Sequence, residues 1–469
     1  MVELFLKQLL TEFNIAPGKA SDNTVARLLH NAKINELTKS IIAAKKQAIN
    51  IFYMYNETEA FKDTKILLPN AVSRKPYEYQ FDLSCFPHIY IKEIRNLDKV
   101  GLSFDPASAK ISGIPTSALS LDLQLFFTCG QEEEQLEEIK IIPFIVNADP
   151  KDLWLNKPSN KNDLFAKADS DKYAGTFLDK HIVVASQRGR SHAHEGLFRD
   201  DHFCTRKLPL DWEIIALADG AGSAKFSRQG SMMATTLIAE SFHDEVLLTE
   251  LSDRCIDYLT TAGTTTGQET SSAEEGQVLK HKSSIINILY KSVRSLHTTL
   301  GDFARQEGIQ LKDLNTTLIF ALVRKFDNGY LMLTFGVGDC PVSVITSDPD
   351  EVKLLNQLDI GEFGGGTRFV TMPEIFTNDM ASRFAINRFD NFSRLVLMTD
   401  GIYDPKFVTE NKLENKAAWD TFFADLDGQN EDNARVDFLR DERIEDQLLS
   451  WLNFWSKGNH DDRTLAIIY

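Results

Sequence analysis

Over the first 50 residues, apolar positions recur every three or four: Val2, Phe5, Leu9 and Phe13 form one stripe, and Ala26, Leu29, Ile34, Leu37 and Ile41 a second. That spacing lines one face of a helix, so residues 1–50 are expected to form a small helical module that packs on its neighbour or docks a protein. From about 52 to 147 the pattern turns to short strands, with alternation in Tyr77-Glu78-Tyr79-Gln80-Phe81 and in Leu121 to Phe127. The acidic run Glu132 to Glu134 reads as a solvated turn. Pro150, Pro158, Lys, Asn and Asp mark residues 148–164 as a linker.

Residues 165–469 alternate strands with long helices. Strands are expected at Ile182 to Ala185, Trp212 to Ala218, Thr317 to Val323, Leu331 to Phe335, Leu395 to Met398 and Leu465 to Tyr469; helices are expected near 228–250, 282–306 and 440–456. Thr260 to Gly276, rich in Thr, Ser, Gly and Glu, reads as a mobile surface loop. Gly361 to Arg394, with Gly364-Gly365-Gly366, is a candidate lid.

Composition narrows the classes. A net charge of -17 argues against a nucleic-acid binder, which needs a basic face for phosphates. The five cysteines are scattered and show no Cys-x-x-Cys, which fits a reducing cytoplasm and gives no support to zinc or a disulfide framework. No apolar run approaches the roughly 18 residues of a membrane span. The N-terminal stretch has Glu3 and Lys7 inside its apolar pattern and reads as a helix rather than a signal peptide.

The chemistry lies in a recurring device. Trp212 to Ala218 is an apolar run broken by Asp219-Gly220, and Asp400-Gly401 breaks Leu395 to Thr399 in the same way. Gly338-Asp339 follows Leu331 to Phe335, Asp200-Asp201 stands before Phe203, and Asp461-Asp462 precedes the final apolar run. If the last strand runs antiparallel to the others, its start and their ends share one edge and the carboxylates converge. Converging carboxylates repel unless cations neutralise them. Oxygen ligands suit Mg²⁺ or Mn²⁺ rather than Zn²⁺. Two such ions about 3.5–4 Å apart would acidify a bridging water and clamp a phosphoryl oxygen, which makes phosphoester hydrolysis the natural reaction class.

In this order, Arg199-Asp-Asp-His-Phe203, Asp219-Gly-Ala-Gly222, Gly338-Asp339, Thr399-Asp-Gly-Ile-Tyr-Asp404 and Asp461-Asp-Arg-Thr464 resemble the metal-dependent Ser/Thr protein phosphatases of the PPM, or PP2C, family. Gly189-Arg190-Ser191-His192 is similar to the element that marks the family's bacterial branch. The resemblance implies an α+β fold, a central β-sandwich of two antiparallel sheets flanked by helices. It implies that Asp219 bridges two Mn²⁺ or Mg²⁺ ions, that the Gly220 carbonyl meets the second, and that Asp400 and Asp461 complete the first. Asp201 matches the invariant Asp of the first motif and Asp200 the place of a water-mediated ligand, while Asp339 resembles the residue that, with Asp400, holds a weaker third ion in some members. Asp404 and Asp462 would orient ligands and waters. His192 is the candidate general acid. Arg190 and Arg199, with Arg188 behind them, are candidates for the phosphate clamp, although the spacing matches none of them well. Gly338-Asp339-Cys340-Pro341 departs from the family's Gly-Asp-Ser-Arg, losing a hydroxyl and a cation.

Gly101 to Thr116 resembles the signature of bacterial immunoglobulin-like, cadherin-like domains, which implies an Ig-like β-sandwich over residues 52–147. The expected function is a cytoplasmic phosphoprotein phosphatase that reverses a bacterial Ser/Thr kinase, its N-terminal domains docking a protein partner. The alternatives are a non-catalytic phosphate-sensing scaffold on the same fold and a small-molecule phosphoesterase.

Overall fold

The computed structural model describes residues 2–15, 19–130, 136–263, 272–327, 329–359, 367–440 and 442–469. Glu132 to Glu134, the middle of Thr260 to Gly276, and Gly364 to Gly366 lie outside them. The chain divides into two units, Met1–Leu153 and Trp154–Tyr469.

The first unit opens with α1 (Val2–Glu12), α2 (Lys19–Leu29) and α3 (Ala32–Asp63). Asn31 caps α3: its side-chain oxygen accepts from the Lys33 and Ile34 amides at 3.0 and 3.3 Å. The helix runs past residue 50, where strands were expected. The β-branched and aromatic residues Ile49 to Tyr55 suggest extended chain, but no Gly or Pro interrupts Ala32–Asp63. Its last turns also gain burial, with Phe61 among the strand side chains.

The strands follow as β1 (Ala71–Val72), β2 (Tyr77–Gln80), β3 (Ile89–Arg95), β4 (Leu102–Asp105), β5 (Lys110–Gly113), β6 (Leu119–Cys129) and β7 (Glu138–Asn147). They form a four-stranded sheet, β1-β7-β6-β3, and a three-stranded one, β2-β5-β4. Alternate residues Leu123, Leu125 and Phe127 of β6, with Ile142, Phe144 and Val146 of β7, fill one core with Tyr77, Leu102 and Ile111 from the smaller sheet.

The second unit begins inside the expected linker. The Trp154 ring packs against His460 at 4.4 Å, and Asn156 and Lys157 accept hydrogen bonds from Arg188. Its elements begin with β8 (Ser170–Phe177), β9 (Lys180–Gln187), α4 (Arg190–Glu195), β10 (His202–Lys207) and β11 (Trp212–Ala218). Then come α5 (Ser227–Ser241), α6 (Glu245–Gly263), α7 (Ser272–Gln306), β12 (Leu318–Phe326), β13 (Gly329–Val337), β14 (Val342–Ile345) and β15 (Val352–Leu354). The last are β16 (Phe384–Phe389), β17 (Arg394–Met398), α8 (Asp400–Phe407), α9 (Lys416–Leu426), α10 (Ile444–Trp451) and β18 (Arg463–Ile468). The single helix expected over 228–250 is two, because the Asp244 side chain caps a new one by accepting from Val246 and Leu247.

Two antiparallel sheets result, β10-β11-β12-β13-β16 and β15-β14-β17-β18-β9-β8. Their inner faces share one core: Ile215 and Leu217 from β11 meet Leu395 and Leu397 from β17 and Ala466 and Ile468 from β18. The alternate residues face helices. Ile214, Ala216 and Ala218 pack among α5, α6 and α7, while Val396, Met398, Leu465 and Ile467 pack among α8, α9 and α10. Strands buried on both faces are apolar throughout, which is why Trp212 to Ala218 shows no alternation. Since the second unit holds three cores of its own, a chain starting at Trp154 is expected to unfold in a single cooperative calorimetric transition; loss of that transition would show that residues 2–153 are needed for folding.

Candidate metal centre

Strand direction gathers the acidic residues. β10 pairs antiparallel with β11, so Asp200 and Asp201, just before β10, lie beside Asp219, just after β11. β13 runs with β11 across the intervening β12 and brings Asp339 to the same edge. In the second sheet β17 pairs antiparallel with β18, so Asp400 meets Asp461 and Asp462. β9 ends there too, delivering Gly189 and His192.

Two glycines make the second cluster compact. A Cβ on Gly189 would overlap the Asp461 backbone, and one on Gly401 would overlap the Asp462 carbonyl. The Asp461-Asp462 backbone therefore passes between the start of α4 and the first turn of α8, where glycine leaves it room. A Cβ on Gly220 would lie 2.9 Å from Asp200. The Asp219 amide donates to Thr317 Oγ1 at 2.9 Å, and the Thr316 hydroxyl donates to the Asp219 carbonyl at 2.8 Å.

Asp462 is the hub. It is buried, and Oδ1 accepts from the Gly189 amide at 2.6 Å and meets His192 Nδ1 at 3.0 Å. Oδ2 accepts from the Asp200 and Asp201 amides at 2.5 and 3.4 Å. Burial alone would raise its pKa, but the His192 charge and these donors hold it below the usual range. His192 is the counterpart: burial would lower it, yet Asp462 and then Asp200 push it up to about 10. The imidazole is thus a cation at neutral pH, with Nδ1 on Asp462 and Nε2 3.9 Å from Asp200.

The other carboxylates are underpartnered. Asp201 Oδ2 accepts from the Thr399 and Thr464 hydroxyls at 2.8 and 2.7 Å, but its Oδ1 is buried with no partner. Asp400 Oδ1 and Asp339 Oδ1 are in the same condition. Burial and then neighbouring carboxylates raise Asp219 and Asp400 well above the ordinary range. The same causes push Asp201 up to about 7 and, with His192 opposing, Asp200 up to about 6. Ligand atoms of Asp219, Asp339 and Cys340 lie within 4.8 Å of one another. Buried, mutually repelling oxygens with unfilled lone pairs fit hard divalent cations.

Without metal, the folded chain holds protons on these carboxylates that the unfolded chain releases from about pH 4 upward. Stability should therefore fall as pH rises from about 4 to about 7. His202, pushed down to about 2 by burial, acts in the opposite sense, but as one group against Asp200, Asp201, Asp219, Asp339, Asp400 and Asp461. A Tm measured in EDTA across that range is expected to decline, and Mn²⁺ is expected to flatten the decline; a rising Tm in EDTA would contradict the repulsion.

The candidate arginines donate to protein groups. Arg199 is 1% exposed and donates to Ser186 Oγ, the Asp201 carbonyl and the Ala168 carbonyl. Arg190 donates to the Asn453 carbonyl at 2.7 Å and lies over the Trp455 ring. Arg188 binds Asp169, Asn156 and the Leu197 carbonyl. Asp404 accepts from Asn459, whose side-chain oxygen accepts from the Asp461 amide. Cys340 belongs to the inter-sheet core, its sulfur 3.6 Å from Thr317 Oγ1.

Sequence reasoning missed Thr399 and Thr464, although both stand inside the quoted motifs. It also missed half-buried Lys167, which donates to the Asp201 carbonyl at 2.7 Å, and Thr367, which donates to Asp339 Oδ2 at 2.9 Å. Nothing local in the sequence marks these two.

A family model described as protein phosphatase 2C matches residues 188–453, more than half of the 469. No curated protein matches the chain. Among solved structures it is similar to the serine/threonine phosphatase Stp1 from Staphylococcus aureus, at 14% identity over 66% of this chain and 96% of that one, TM-score 0.32. The serine/threonine phosphatase of S. agalactiae shares 14% identity over 63% and 99%, TM-score 0.36. The catalytic domain of the phosphatase PstP, in complex with 2 manganese ions, shares 15% over 61% and 96%, TM-score 0.33.

Proposed function

The chain belongs to the protein phosphatase 2C family, and from that premise we propose that it is a metal-dependent phosphatase of phosphoserine and phosphothreonine in proteins. The observation that carries this reading is the set of buried, unpartnered carboxylate oxygens on Asp201, Asp339 and Asp400 at the adjoining ends of the two sheets. Asp219, the Gly220 carbonyl, Asp400 and Asp461 would hold two Mn²⁺ or Mg²⁺ ions, with Asp200 and Asp201 beside them and Asp339 taking a weaker third. Bound there, the ions supply Lewis-acid polarisation of the phosphoryl oxygens and a more acidic water.

The chain's own groups do the positioning. Thr399 and Thr464 fix one oxygen of Asp201 and leave the other for a cation. Asp462 sets the loops that carry Asp200, Asp201 and Gly189, and His192 balances its charge. With Nδ1 committed, His192 Nε2 is the nitrogen that would pass a proton to the leaving oxygen. Arg199 we assign to holding the Asp201 backbone rather than to gripping phosphate. The strand-rich first unit is proposed as an immunoglobulin-like module that docks a protein partner. Among the described residues no helix is long and apolar enough to cross a membrane.

Hydrolysis of phosphoserine, phosphothreonine and phosphotyrosine peptides, and of a small aryl phosphate, tests the reading. Turnover of the first two peptides in Mn²⁺ or Mg²⁺ is expected. Turnover of the aryl phosphate alone would favour a small-molecule phosphoesterase, and metal binding without any turnover a scaffold.

A further inference from the structure

Asp359 and Arg383 bracket the stretch 360–382, and they face each other as a bidentate pair, Nη1 to Oδ2 at 2.8 Å and Nη2 to Oδ1 at 2.9 Å. The side chains are only 15% and 9% exposed. Among the described residues, the further side-chain bonds of the pair land on Gly336 and Gly338, in the run that leads into Asp339. Asp359 Oδ2 accepts from the Gly338 amide at 2.9 Å, and the Asp359 amide donates to the Gly338 carbonyl at 2.8 Å. Arg383 Nη1 also donates to the Gly336 carbonyl at 3.2 Å.

The turn has no slack on its other side. Gly338 has φ of 105°, and a Cβ there would press into the Thr317 side chain, whose hydroxyl accepts from the Asp219 amide. Thr367 then fixes Asp339 Oδ2, so the buried Oδ1 is the oxygen left for a ligand. A carboxylate oxygen of Asp339 lies within 4.8 Å of one of Asp219.

We propose that the Asp359–Arg383 pair is a positioning clasp: it fixes the Gly336–Asp339 backbone, and with Thr367 aims Asp339 Oδ1 at a divalent cation shared with Asp219. This rests on the reading of Asp219 and Asp339 as cation ligands. A planar guanidinium gripping a carboxylate that also accepts a backbone amide defines direction as well as charge, which a lysine ammonium cannot reproduce. A pair that merely closed the base of an insertion would have no reason to send its remaining bonds to residues 336–338.

The test is calorimetric Mn²⁺ titration of the full chain. Variants are Arg383→Gln, Arg383→Lys, Thr367→Val, Asp339→Asn and the double variant Arg383→Gln/Asp339→Asn. Wild type should show a weaker event that Asp339→Asn removes. Arg383→Gln should weaken that event about tenfold or more, the range for groups that orient a ligand, with Arg383→Lys intermediate. The tighter events should stay within about twofold, and Arg383→Gln should have no further effect once Asp339 is Asn. Thr367→Val, which leaves the pair intact, should weaken the same event through Asp339 Oδ2, and Arg383→Lys carries the test of the pair if Arg383→Gln does not fold. A wild-type titration from Arg383→Gln would overturn the proposal. So would weakening by Arg383→Gln that is equal with and without Asp339, or a wild-type chain with no Asp339-dependent event. The titration decides the clasp and phosphoester turnover decides the proposed activity, so each fails separately.

Discussion

Asp400→Asn is expected to lower metal-dependent turnover by more than about a hundredfold, beyond the range of groups that only orient ligands, while raising the Tm of the metal-free protein. Asp400 opens α8, and its Oδ1 is buried with no donor near it. Burial, then Asp461, Asp339 and Asp201, disfavour its charge. A divalent cation reverses that balance, and a neutral amide of the same shape cannot. Loss of turnover and gain of metal-free stability thus have one cause, removal of a charge that only a cation compensates. Kinetics at saturating Mn²⁺ and calorimetry in EDTA check the two halves. Lost activity with a lower Tm would mean that Asp400 is a structural carboxylate.

Asp462→Ala is expected to do the opposite to stability. It would strand the buried amides of Gly189, Asp200 and Asp201 and leave the His192 imidazolium without its partner. At about 1–3 kcal/mol for each stranded group, the total is several kcal/mol, a fall in Tm on the order of 10 °C. Asp462→Asn keeps one carbonyl oxygen as acceptor but presents an NH₂ to donors, so about half that loss is expected. Because Asp462 holds the Gly189–His192 and Asp200-Asp201 segments, Mn²⁺ affinity should fall in parallel. Thermal scans in EDTA decide: a Tm for Asp462→Ala close to wild type would remove Asp462 from the centre of the network.

The sequence made the skeleton of the centre legible because burial on both faces forces strands such as Trp212 to Ala218 to be apolar, and the first carboxylate after such a run stands at the sheet edge. Antiparallel pairing then brings together residues far apart in the chain. Partnerships set by tertiary packing were not legible. Arg199 looks like a clamp beside Asp200, yet its side chain turns inward to Ser186. Arg383 had no apparent role because its partner stands across the 360–382 stretch. The fold was misread where local cues conflict. Ile49 to Tyr55 carries strand-forming residues inside a capped helix, and β8 is an exposed edge strand with too few apolar residues to announce itself. Asp400-Gly401, which breaks the apolar run before it, opens a helix that continues through Pro405.

The measurement that bears most directly on the account is turnover of a phosphothreonine peptide by the full chain in EDTA, in Mg²⁺ and in Mn²⁺, with Asp219→Asn alongside. The account predicts no turnover in EDTA, turnover restored by either ion, and none in the variant although it folds. Turnover in EDTA, or undiminished turnover by Asp219→Asn, would contradict it.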